Sequence, residues 1–288
     1  MENPEIHELL IKAALEEDLG IAGDVTSESV FSDETGEYLL VSREKGILCG
    51  KDIFERVFNY IDPEINIVFF CRDSGRIYPG DTVARIEGKI VSILKGERTA
   101  LNFISMLSAI ATKTAKFTEK AAGRVRILDT RKTIPCYRNL SKYAVRCGGG
   151  ENHRKGLFDM ALVKDTHIDA AGSIKEAVDK IRDKHGGSLK IEVEARNIGE
   201  VEAALMSGAD RIMLDNMNNR DMAEAVKLIG RRAETEASGN MSFERIEDVI
   251  AAGVDCISFG ELTHTIKGHD FSLKEAGKIG LIGVNRNE

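Results

Sequence analysis

A strand-helix-strand pattern occupies residues 189–216, LKIEVEARNIGEVEAALMSGADRIMLDN, and it decides the fold class. Similar strand-like runs, each followed by a helical segment, recur along the second half of the chain: VRILDT from 125, MALVKD from 160, RAETEAS from 232 and DCISFG from 255. Alternation of this kind predicts a parallel sheet with right-handed crossovers. Six such units suit an open doubly wound sheet or an incomplete barrel, because a full barrel has eight.

The first hundred residues predict an α+β domain. The predicted elements are a charged amphipathic helix ending at Gly20, a strand over 38–50, an amphipathic helix over 52–61, a strand over 65–73, a turn followed by strands over 77–94, and a long helix from Lys95 to about Ala122. The tail after His264 is too short for another βα unit, so we expect it to return to this first domain.

The composition excludes several classes of protein. The chain has 288 residues, and its 42% of hydrophobic residues argue against a disordered protein. No uncharged apolar run approaches the roughly 18 residues that span a bilayer, and the first residues lack a secretory cleavage pattern. The five cysteines form no CxxC pair and no zinc spacing, so we expect reduced thiols that serve mainly as small buried hydrophobic residues. A soluble cytoplasmic protein is expected.

Charge is unevenly distributed along the chain. The whole chain carries 40 basic and 47 acidic residues, a net charge of −7, but residues 124–164 hold ten basic and three acidic residues, a net charge of +7. The remaining 30 basic and 44 acidic residues give −14, which argues against a protein that coats nucleic acid. The basic segment is either a local anion pocket or a solvated helix face.

Basic residues stand where α/β proteins bind their ligands, at the carboxyl ends of the predicted strands. Arg131, Lys132 and Lys164 follow the first two strands. The glycine-rich loop RCGGGENHRKG permits close backbone approach and delivers His153 and Arg154 to the same edge. These side chains are candidates for binding carboxylates or phosphates.

The other predicted strands end in acids and then in small residues. Glu194 and Asp215 suit a divalent cation or ribose hydroxyls, although ion pairs with nearby lysines would also explain them. Ser238, Gly239 and Gly260 suit either a backbone phosphate site or plain turns. The sequence contains no G-x-G-x-x-G or GxxxxGKS motif, so Rossmann hydride transfer and P-loop chemistry have little support.

Longer strings carry a family resemblance. They are ALEEDLGIAGDVTSE at 14, GDTVARIEG at 80, GERTALNFISMLSAIAT at 96, DTRKT at 129, KYAVRCGGGENHRKGLFDMALVKDTHI at 142, IEVEA at 191, GADRIMLDNM at 208, EASG at 236 and GVDCISFGELTH at 253. In this order they resemble quinolinate phosphoribosyltransferase, the carboxylating nicotinate-nucleotide pyrophosphorylase family. The resemblance implies an α/β fold, with an N-terminal α/β sandwich domain over 1–105 joined by the tail 267–288, and an open, incomplete α/β barrel of six or seven parallel strands over 106–266.

The resemblance also implies an activity. Phosphoribose would pass from phosphoribosyl pyrophosphate to quinolinate with decarboxylation, giving nicotinate mononucleotide, pyrophosphate and CO2 in NAD biosynthesis, with Mg²⁺ as cofactor. The expected assembly is a homodimer with shared active sites, a higher oligomer being left open. Neither nucleic acid nor a membrane is an expected partner.

A role for each candidate position follows from the family's motifs. The predicted ligands of the two quinolinate carboxylates are Arg131, His153, Arg154 and Lys164, with Arg98 entering from the partner subunit. The predicted catalytic residues are Lys132, between the pyridine ring and the donor, and Glu194 and Asp215, which would take ribose hydroxyls and magnesium. The rest of the predicted binding set is Thr130, Ser238, Gly239, Asn240, Phe259, Gly260 and His264.

The chain departs from the family pattern at Ile134, Cys136, Thr166 and Asn240. The run containing Ile134 is similar to that of a paralogue group associated with molybdenum transport, so a paralogue of the same fold acting on another anion is one alternative. A barrel lyase that uses Lys164 as a Schiff base and a non-catalytic anion-binding protein are the others.

Overall fold

The computed structural model describes residues 4–278. Its strands are β1 (Thr35–Ser42), β2 (Gly46–Ile47), β3 (Asn66–Phe69), β4 (Arg76–Ile77), β5 (Thr82–Lys89), β6 (Arg126–Leu128), β7 (Ala161–Val163), β8 (Ile191–Ala195), β9 (Arg211–Asp215), β10 (Glu234–Ser238), β11 (Cys256–Ser258) and β12 (Phe271–Glu275). Its α-helices are α1 (Pro4–Leu19), α2 (Ser27–Val30), α3 (Lys51–Ile61), α4 (Ile90–Ala121), α5 (Arg138–Cys147), α6 (Asp165–Ala171), α7 (Ile174–His185), α8 (Ile198–Met206), α9 (Asn219–Ile229), α10 (Ile246–Ala252) and α11 (Glu261–His264), and a 3-10 turn covers Ala276–Lys278. None of the helices in this part of the chain has the length and hydrophobicity of a bilayer-spanning segment.

The described residues form two compact units, and α4 contributes residues to both. The first unit comprises the residues up to Ala115, residues 134–149 and those from Thr265 onward, and the second comprises Lys116–Thr133 and Gly150–His264. The segment 134–149, which contains α5, therefore belongs to the first unit, whereas the predicted boundaries place it in the barrel. Residues 279–288 of the predicted tail lie outside the described residues.

The first unit is built on an antiparallel sheet with the strand order β12-β1-β5-β3. The amphipathic helix α3 buries Phe54, Val57 and Phe58, and the ring of Phe54 meets the ring of Phe69 on β3 edge to face, with centroids 5.7 Å apart. The tail residues of β12 pair with β1, with Leu273 opposite Leu40. The end of the described chain is thus part of the sheet of the first unit.

The strand predicted for residues 90–94 is wrong, because α4 begins at Ile90 directly after β5 ends. Its β-branched residues favour a strand when they are considered alone. The buried positions of α4 nevertheless recur every three or four residues: Ile93, Gly96, Ala100, Ile104, Leu107 and Ala111. Residues between these positions, such as Leu101, Phe103 and Ile110, are buried as well, so the helix packs on more than one face, and that packing overrides the local preference.

The second unit contains a parallel sheet with the strand order β6-β11-β10-β9-β8-β7. All six predicted βα strands are confirmed. In the described residues β6 and β7 are not paired with each other, so the sheet is open between its first two strands. Glu151 adds an isolated parallel bridge beside Leu128 on β6. The expected α/β fold of an N-terminal sheet domain followed by a parallel sheet domain is confirmed.

The two faces of this parallel sheet differ in polarity, because side chains alternate along each strand. On one face β8 and β9 present apolar residues that are completely buried: Ile191, Val193, Ala195, Ile212 and Leu214. The other face carries Glu192 and Glu194 on β8, Arg211 and Asp215 on β9, and Glu236 on β10. Charged side chains therefore fill the face that leads to the carboxyl ends of the strands.

Candidate active site

A cavity of about 600 Å³ opens at the carboxyl ends of the parallel strands. The residues that line it are Thr130, Arg131, Lys132, His153, Arg154, Leu162, Lys164, Glu194, Met213, Asp215, Asn216, Glu236, Ser238, Gly239, Asn240 and Ser258. Eleven of the fifteen predicted site residues are among them, all within the second unit. Neighbouring strand ends therefore bring together the basic, acidic and small residues that lie far apart in the sequence.

Four predicted residues do not line this cavity. Arg98 is exposed on the first unit and lines a separate cavity of about 210 Å³. Phe259 is 1% exposed and packs its ring against that of Phe117, with centroids 4.9 Å apart, so it is a core residue. Gly260 and His264 lie beside Lys132, since a Cβ atom at Gly260 would be 3.0 Å from Lys132 Cδ and 2.9 Å from His264 Nε2. In this structure Gly260 makes room for the lysine side chain.

Two guanidinium groups dominate the basic part of the cavity. Arg154 is 9% exposed, and its Nη1 donates to the carbonyl oxygen of Met160 at 3.1 Å. Burial and then the charge of Arg131 lower the pKa of Arg154. The Nε of Arg131 is buried without a hydrogen-bond partner in the described structure. An anion placed between these groups would relieve their repulsion and satisfy the unpartnered donor.

The loop that carries His153 and Arg154 is fixed by a buried carboxylate. Asp129 follows β6 directly and is completely buried. It accepts hydrogen bonds from Asn152 Nδ2 at 2.6 Å and from the main-chain N–H of His153 at 2.9 Å. A charged acceptor makes such bonds short and strong. Asp129 thereby holds the glycine-rich loop at the edge of the sheet.

The imidazole of His153 lies over two buried glutamates rather than toward solvent. Its Nε2 is 3.0 Å from Glu192 Oε2 and 3.4 Å from Glu236 Oε2, and both carboxylates are completely inaccessible. Arg211 Nη1 lies 3.1 Å from Glu236 Oε2. His153 Nδ1 accepts the main-chain N–H of Arg154 at 2.8 Å, a bond that requires Nδ1 to be unprotonated. His153 therefore has protein partners at both ring nitrogens, which differs from the predicted direct contact with substrate.

This buried cluster has a strong affinity for protons. Although burial opposes the imidazolium, the carboxylates of Glu192 and Glu236 outweigh it and raise the pKa of His153 to about 9. Burial and then the charge of Glu236 raise the pKa of Glu192 to about 7. The pKa of Glu236 is lowered, because its contact with His153 outweighs burial. At neutral pH His153 is therefore protonated at both ring nitrogens, and its Nδ1 then no longer accepts the main-chain N–H of Arg154.

Amide side chains join the acidic residues of the cavity to the small-residue turn after β10. Lys164 Nζ lies 2.8 Å from Glu194 Oε2, and Asp215 Oδ2 accepts from Asn216 Nδ2 at 2.8 Å. Asn216 Oδ1 in turn accepts from Asn240 Nδ2 at 3.0 Å. These contacts fix the acidic groups on one side and the small-residue turn on the other.

The turn after β10 requires glycine at position 239. Gly239 has a φ of +82°, and a Cβ atom there would lie 2.5 Å from the side-chain amide of Asn216. Asn240 follows with a φ of +47°, which asparagine tolerates better than most residues. The backbone of this turn is therefore open to the cavity, as close approach of a phosphate requires.

Several cavity residues have no assigned role in the sequence predictions. They are Leu162, Met213, Asn216, Glu236 and Ser258, with Glu192 and Arg211 behind them. Glu192 and Asn216 stand at predicted strand ends, together with Glu194 and Asp215, but receive no role of their own. A period of two along each strand indicates most of the others, because Glu236, for example, precedes Ser238 on the same face.

The departures from the family pattern lie mostly outside this cavity. Ile134, Cys136 and Thr166 are exposed and do not line it, whereas Asn240 does. The expectation of buried cysteines holds for Cys49 and Cys256, which are buried, but is wrong for the exposed Cys136. Cys71 and Cys147 are half-buried, and all five cysteines are free thiols.

Comparisons with known proteins agree with this arrangement. Two family models match the chain: quinolinate phosphoribosyl transferase, N-terminal domain, over residues 24–108, and quinolinate phosphoribosyl transferase, C-terminal domain, over residues 110–274. Quinolinate phosphoribosyltransferase [decarboxylating] 1b of Nicotiana tabacum is 40% identical over 284 residues, covering 92% of this chain and 81% of that protein. A probable nicotinate-nucleotide pyrophosphorylase [carboxylating] of Bacillus subtilis is 39% identical over 258 residues, covering 89% of each chain.

A solved structure gives the same result for the fold. The nicotinate-nucleotide pyrophosphorylase from Francisella tularensis is 40% identical, with a TM-score of 0.90 over 93% of this chain and 95% of that one. Because both family models match in order and relatives of this similarity span nearly the whole chain, the protein belongs to the quinolinate phosphoribosyltransferase family.

Proposed function

We propose that the protein transfers phosphoribose from phosphoribosyl pyrophosphate to quinolinate and releases CO2, pyrophosphate and nicotinate mononucleotide. The observation that carries the proposal is the cavity of about 600 Å³, in which cations, carboxylates and an open glycine turn occupy successive strand ends. Its volume lies within the usual range of small-molecule sites. The activity named for the relatives requires this combination, because both substrates are multiply charged anions and one contains ribose.

Quinolinate would bind at the basic end. Arg131 and Arg154 repel each other in the free protein, and Arg131 Nε has no hydrogen-bond partner in the described structure. A bound carboxylate would place a negative charge between the two guanidinium groups and accept a hydrogen bond from Arg131 Nε. Lys164 would contribute a point charge from β7 while it remains paired with Glu194. We assign His153 an indirect role, which is to fix the loop that presents Arg154.

The donor would lie across the middle and the far end of the cavity. Lys132 is exposed at the cavity edge, with Gly260 leaving space for its side chain, and suits the region between the acceptor ring and the pyrophosphate. Backbone groups at Ser238 and Gly239 suit the 5′-phosphate. Glu194 and Asp215 suit the ribose hydroxyls because both offer carboxylate oxygens to the cavity.

Magnesium fits this donor set only together with the substrate. Among the described residues Glu194 and Asp215 belong to no cluster of three or more candidate ligands, and Glu194 is already paired with Lys164. Mg²⁺ is typically held by one or two carboxylates plus substrate phosphates, so these two residues would hold it with the donor's oxygens. When bound, the ion would neutralise charge on the leaving pyrophosphate.

The residues favour catalysis by positioning and electrostatics rather than by a covalent enzyme intermediate. The ring nitrogen of quinolinate would attack the anomeric carbon while Lys132 stabilises the departing pyrophosphate. The pyridinium formed is an electron sink, so the adjacent carboxylate can leave as CO2. The basic side chains that hold the second carboxylate keep the ring in place throughout.

The alternative functions have less support. A Schiff-base lyase needs a Lys164 amine that is free to attack a carbonyl, yet its Nζ is paired with the carboxylate of Glu194 at 2.8 Å. The relatives described above are named as phosphoribosyltransferases or pyrophosphorylases, so the molybdenum-associated paralogue has no support among them.

The decisive experiment measures CO2 from carboxyl-labelled quinolinate with purified protein, phosphoribosyl pyrophosphate and magnesium. Release that requires the donor, with nicotinate mononucleotide formed in equal amount, is the expected result. Quinolinate binding by calorimetry without CO2 release would contradict the enzymatic function and favour an anion-binding protein. Borohydride trapping of substrate on Lys164 would favour the lyase.

A homodimer in which Arg98 completes the partner's site is part of the proposal. Its support is that Arg98 lies on the first unit, outside the cavity of the second, while a dianionic substrate gains from another cation. Mixing an Arg98→Ala protein with a Lys132→Ala protein should restore part of the activity through hybrid dimers. Complete absence of rescue, with hybrid dimers demonstrated by tagged pull-down, would contradict the shared site. A cytoplasmic location also remains a proposal, and the five free thiols support it.

A further inference from the structure

Two cysteines that are distant in sequence lie side by side in the first unit. Cys49 lies two residues before the first residue of α3, and Cys147 is the last residue of α5. Their sulfur atoms and a carboxylate oxygen of Asp73 all lie within 4.8 Å of one another. Cys49 is completely buried, whereas Cys147 is half-buried. Cys147 is therefore the more exposed of the two residues.

Both cysteine segments are anchored on consecutive turns of α4. The main-chain N–H of Cys49 donates to Ser108 Oγ at 3.0 Å, and this hydroxyl donates to the carbonyl oxygen of Cys49 at 3.2 Å. The segment after Cys147 touches α4 directly, since a Cβ atom at Gly148 would lie 2.4 Å from the carbonyl oxygen of Ala111. Ser108 and Ala111 are one helical turn apart. Helix α4 therefore fixes the positions of both cysteine segments.

The surroundings of Cys147 stabilise a thiolate. The neighbouring thiol of Cys49, with the hydroxyl of Ser74, lowers the pKa of Cys147 to about 7 against the opposing effect of burial. Burial raises the pKa of Cys49 well above its usual value. One sulfur is thus a nucleophile at neutral pH, and the other keeps its proton.

The carboxylate of Asp73 is already occupied. Its Oδ1 accepts the main-chain N–H groups of Gly50 at 3.2 Å and Lys51 at 3.3 Å, and its Oδ2 accepts the hydroxyl of Tyr143 at 2.6 Å. These bonds fix the start of α3, and they leave Asp73 poorly placed to ligate a metal. The pair of sulfurs favours thiol oxidation over metal binding.

We propose that Cys49 and Cys147 form a peroxide-oxidisable dithiol, with Cys147 as the attacking residue and Cys49 as the resolving residue. The Cys147 thiolate attacks one oxygen of hydrogen peroxide, the O–O bond breaks, and a sulfenic acid and hydroxide form. The sulfur of Cys49 then attacks the sulfenic sulfur, and its proton leaves with the sulfenic hydroxyl as water. The sulfurs lose two electrons in total, and the peroxide gains them.

The test uses the wild-type protein and hydrogen peroxide, followed by alkylation of the remaining thiols and tryptic digestion. The expected product is one disulfide-linked pair of peptides, GILCGK (46–51) and CGGGENHR (147–154). Before oxidation, Cys147 should be alkylated about tenfold faster than Cys71 at neutral pH, because burial raises the pKa of Cys71. Oxidation of Cys147 to the sulfinic acid without this linked pair would overturn the proposal.

Variants separate the two roles. Cys49→Ser, which keeps a hydrogen-bond donor but cannot form a disulfide, should leave Cys147 as a sulfenic acid that dimedone captures, and Cys147→Ser should abolish both the adduct and the linked pair. Cys136→Ser and Cys71→Ser are matched controls that should keep the linked pair unchanged. A linked pair that instead contains Cys71 or Cys136, or a Cys49→Ser protein without a dimedone adduct on Cys147, would contradict the assignment. Circular dichroism confirms that each variant is folded.

Discussion

Raising the pH is expected to destabilise the second unit through the cluster beneath the cavity. The pKa of His153 is raised from 6.5 to about 9, so its stabilising contribution is complete below about pH 6.5 and is lost as the pH rises through about 9. Burial raises the pKa of Glu192 from 4.5 to about 7. Its contribution to stability is complete below about pH 4.5 and is lost as the pH rises through about 7. Both contributions fall as the pH rises, that of Glu192 by about pH 7 and that of His153 through about pH 9, so His153 governs the alkaline side.

The size of the effect follows from the geometry. The shift of His153 corresponds to about 3 kcal/mol at 1.36 kcal/mol per pKa unit. Protonating Nδ1 removes its hydrogen bond with the main-chain N–H of Arg154, which offsets about 1 kcal/mol. A net loss of about 2 kcal/mol lowers the midpoint of thermal unfolding by about 4–8 °C between about pH 6 and pH 10.

Differential scanning calorimetry across this pH range provides the assay, because it can resolve separate transitions of the two units. The matched control is His153→Gln, which retains a polar side chain but cannot titrate, and whose midpoint should fall much less over the same range. Glu192→Gln should shift the loss of stability to lower pH, since His153 would keep only the carboxylate at 3.4 Å. Equal pH dependence in the wild type and in His153→Gln would refute the reasoning.

Three further changes test the cavity. Lys132→Ala should lower kcat by about a hundredfold or more without changing the thermal midpoint, as expected for lost electrostatic stabilisation, and a near-normal kcat would remove Lys132 from the catalytic set. Arg131→Lys should raise the KM for quinolinate by about tenfold or more, because the lysine cannot replace the Nε donor, and an unchanged KM in steady-state kinetics would contradict that contact. Gly239→Ala should lower both the thermal midpoint and the affinity for the donor, since the added methyl would meet Asn216, and calorimetry together with donor titration measures both effects.

Most of the parallel strands were predictable because one side of each is strongly apolar, whereas β10 has only Thr235 and Ala237 on that side. Ile191 and Val193 on β8, or Ile212 and Leu214 on β9, mark a strand whatever lies on its opposite face. The start of α4 was not predictable from local preference, because the residues at 90–94 favour a strand and only packing on the rest of the helix decides their conformation. The position of the cavity was predictable because basic, acidic and small residues follow the predicted strands in the sequence.

The orientation of individual side chains required the structure. His153 precedes Arg154 in an exposed-looking loop, so both were expected to contact substrate, yet the imidazole turns toward Glu192 and Glu236. Nothing local to the loop predicts this, because both partners come from strands far along the chain. The position of Phe259 in the core has the same cause, since its neighbour Phe117 lies on α4.

The buried glutamates also explain how a cavity for anions can persist without its ligand. Parallel barrels usually fill the layer beneath the site with branched apolar residues. Here Glu192 and Glu236 replace them, matched by Arg211 and by the proton-binding imidazole of His153. Their negative charge offsets the repulsion among the cations above, including Arg154. Breaking such a cluster at one member leaves a charge unpaired, whereas an apolar replacement of the whole cluster could retain stability. The pH dependence of the cluster's proton therefore distinguishes the proposed role of His153, which is to fix the loop that presents Arg154, from simple packing.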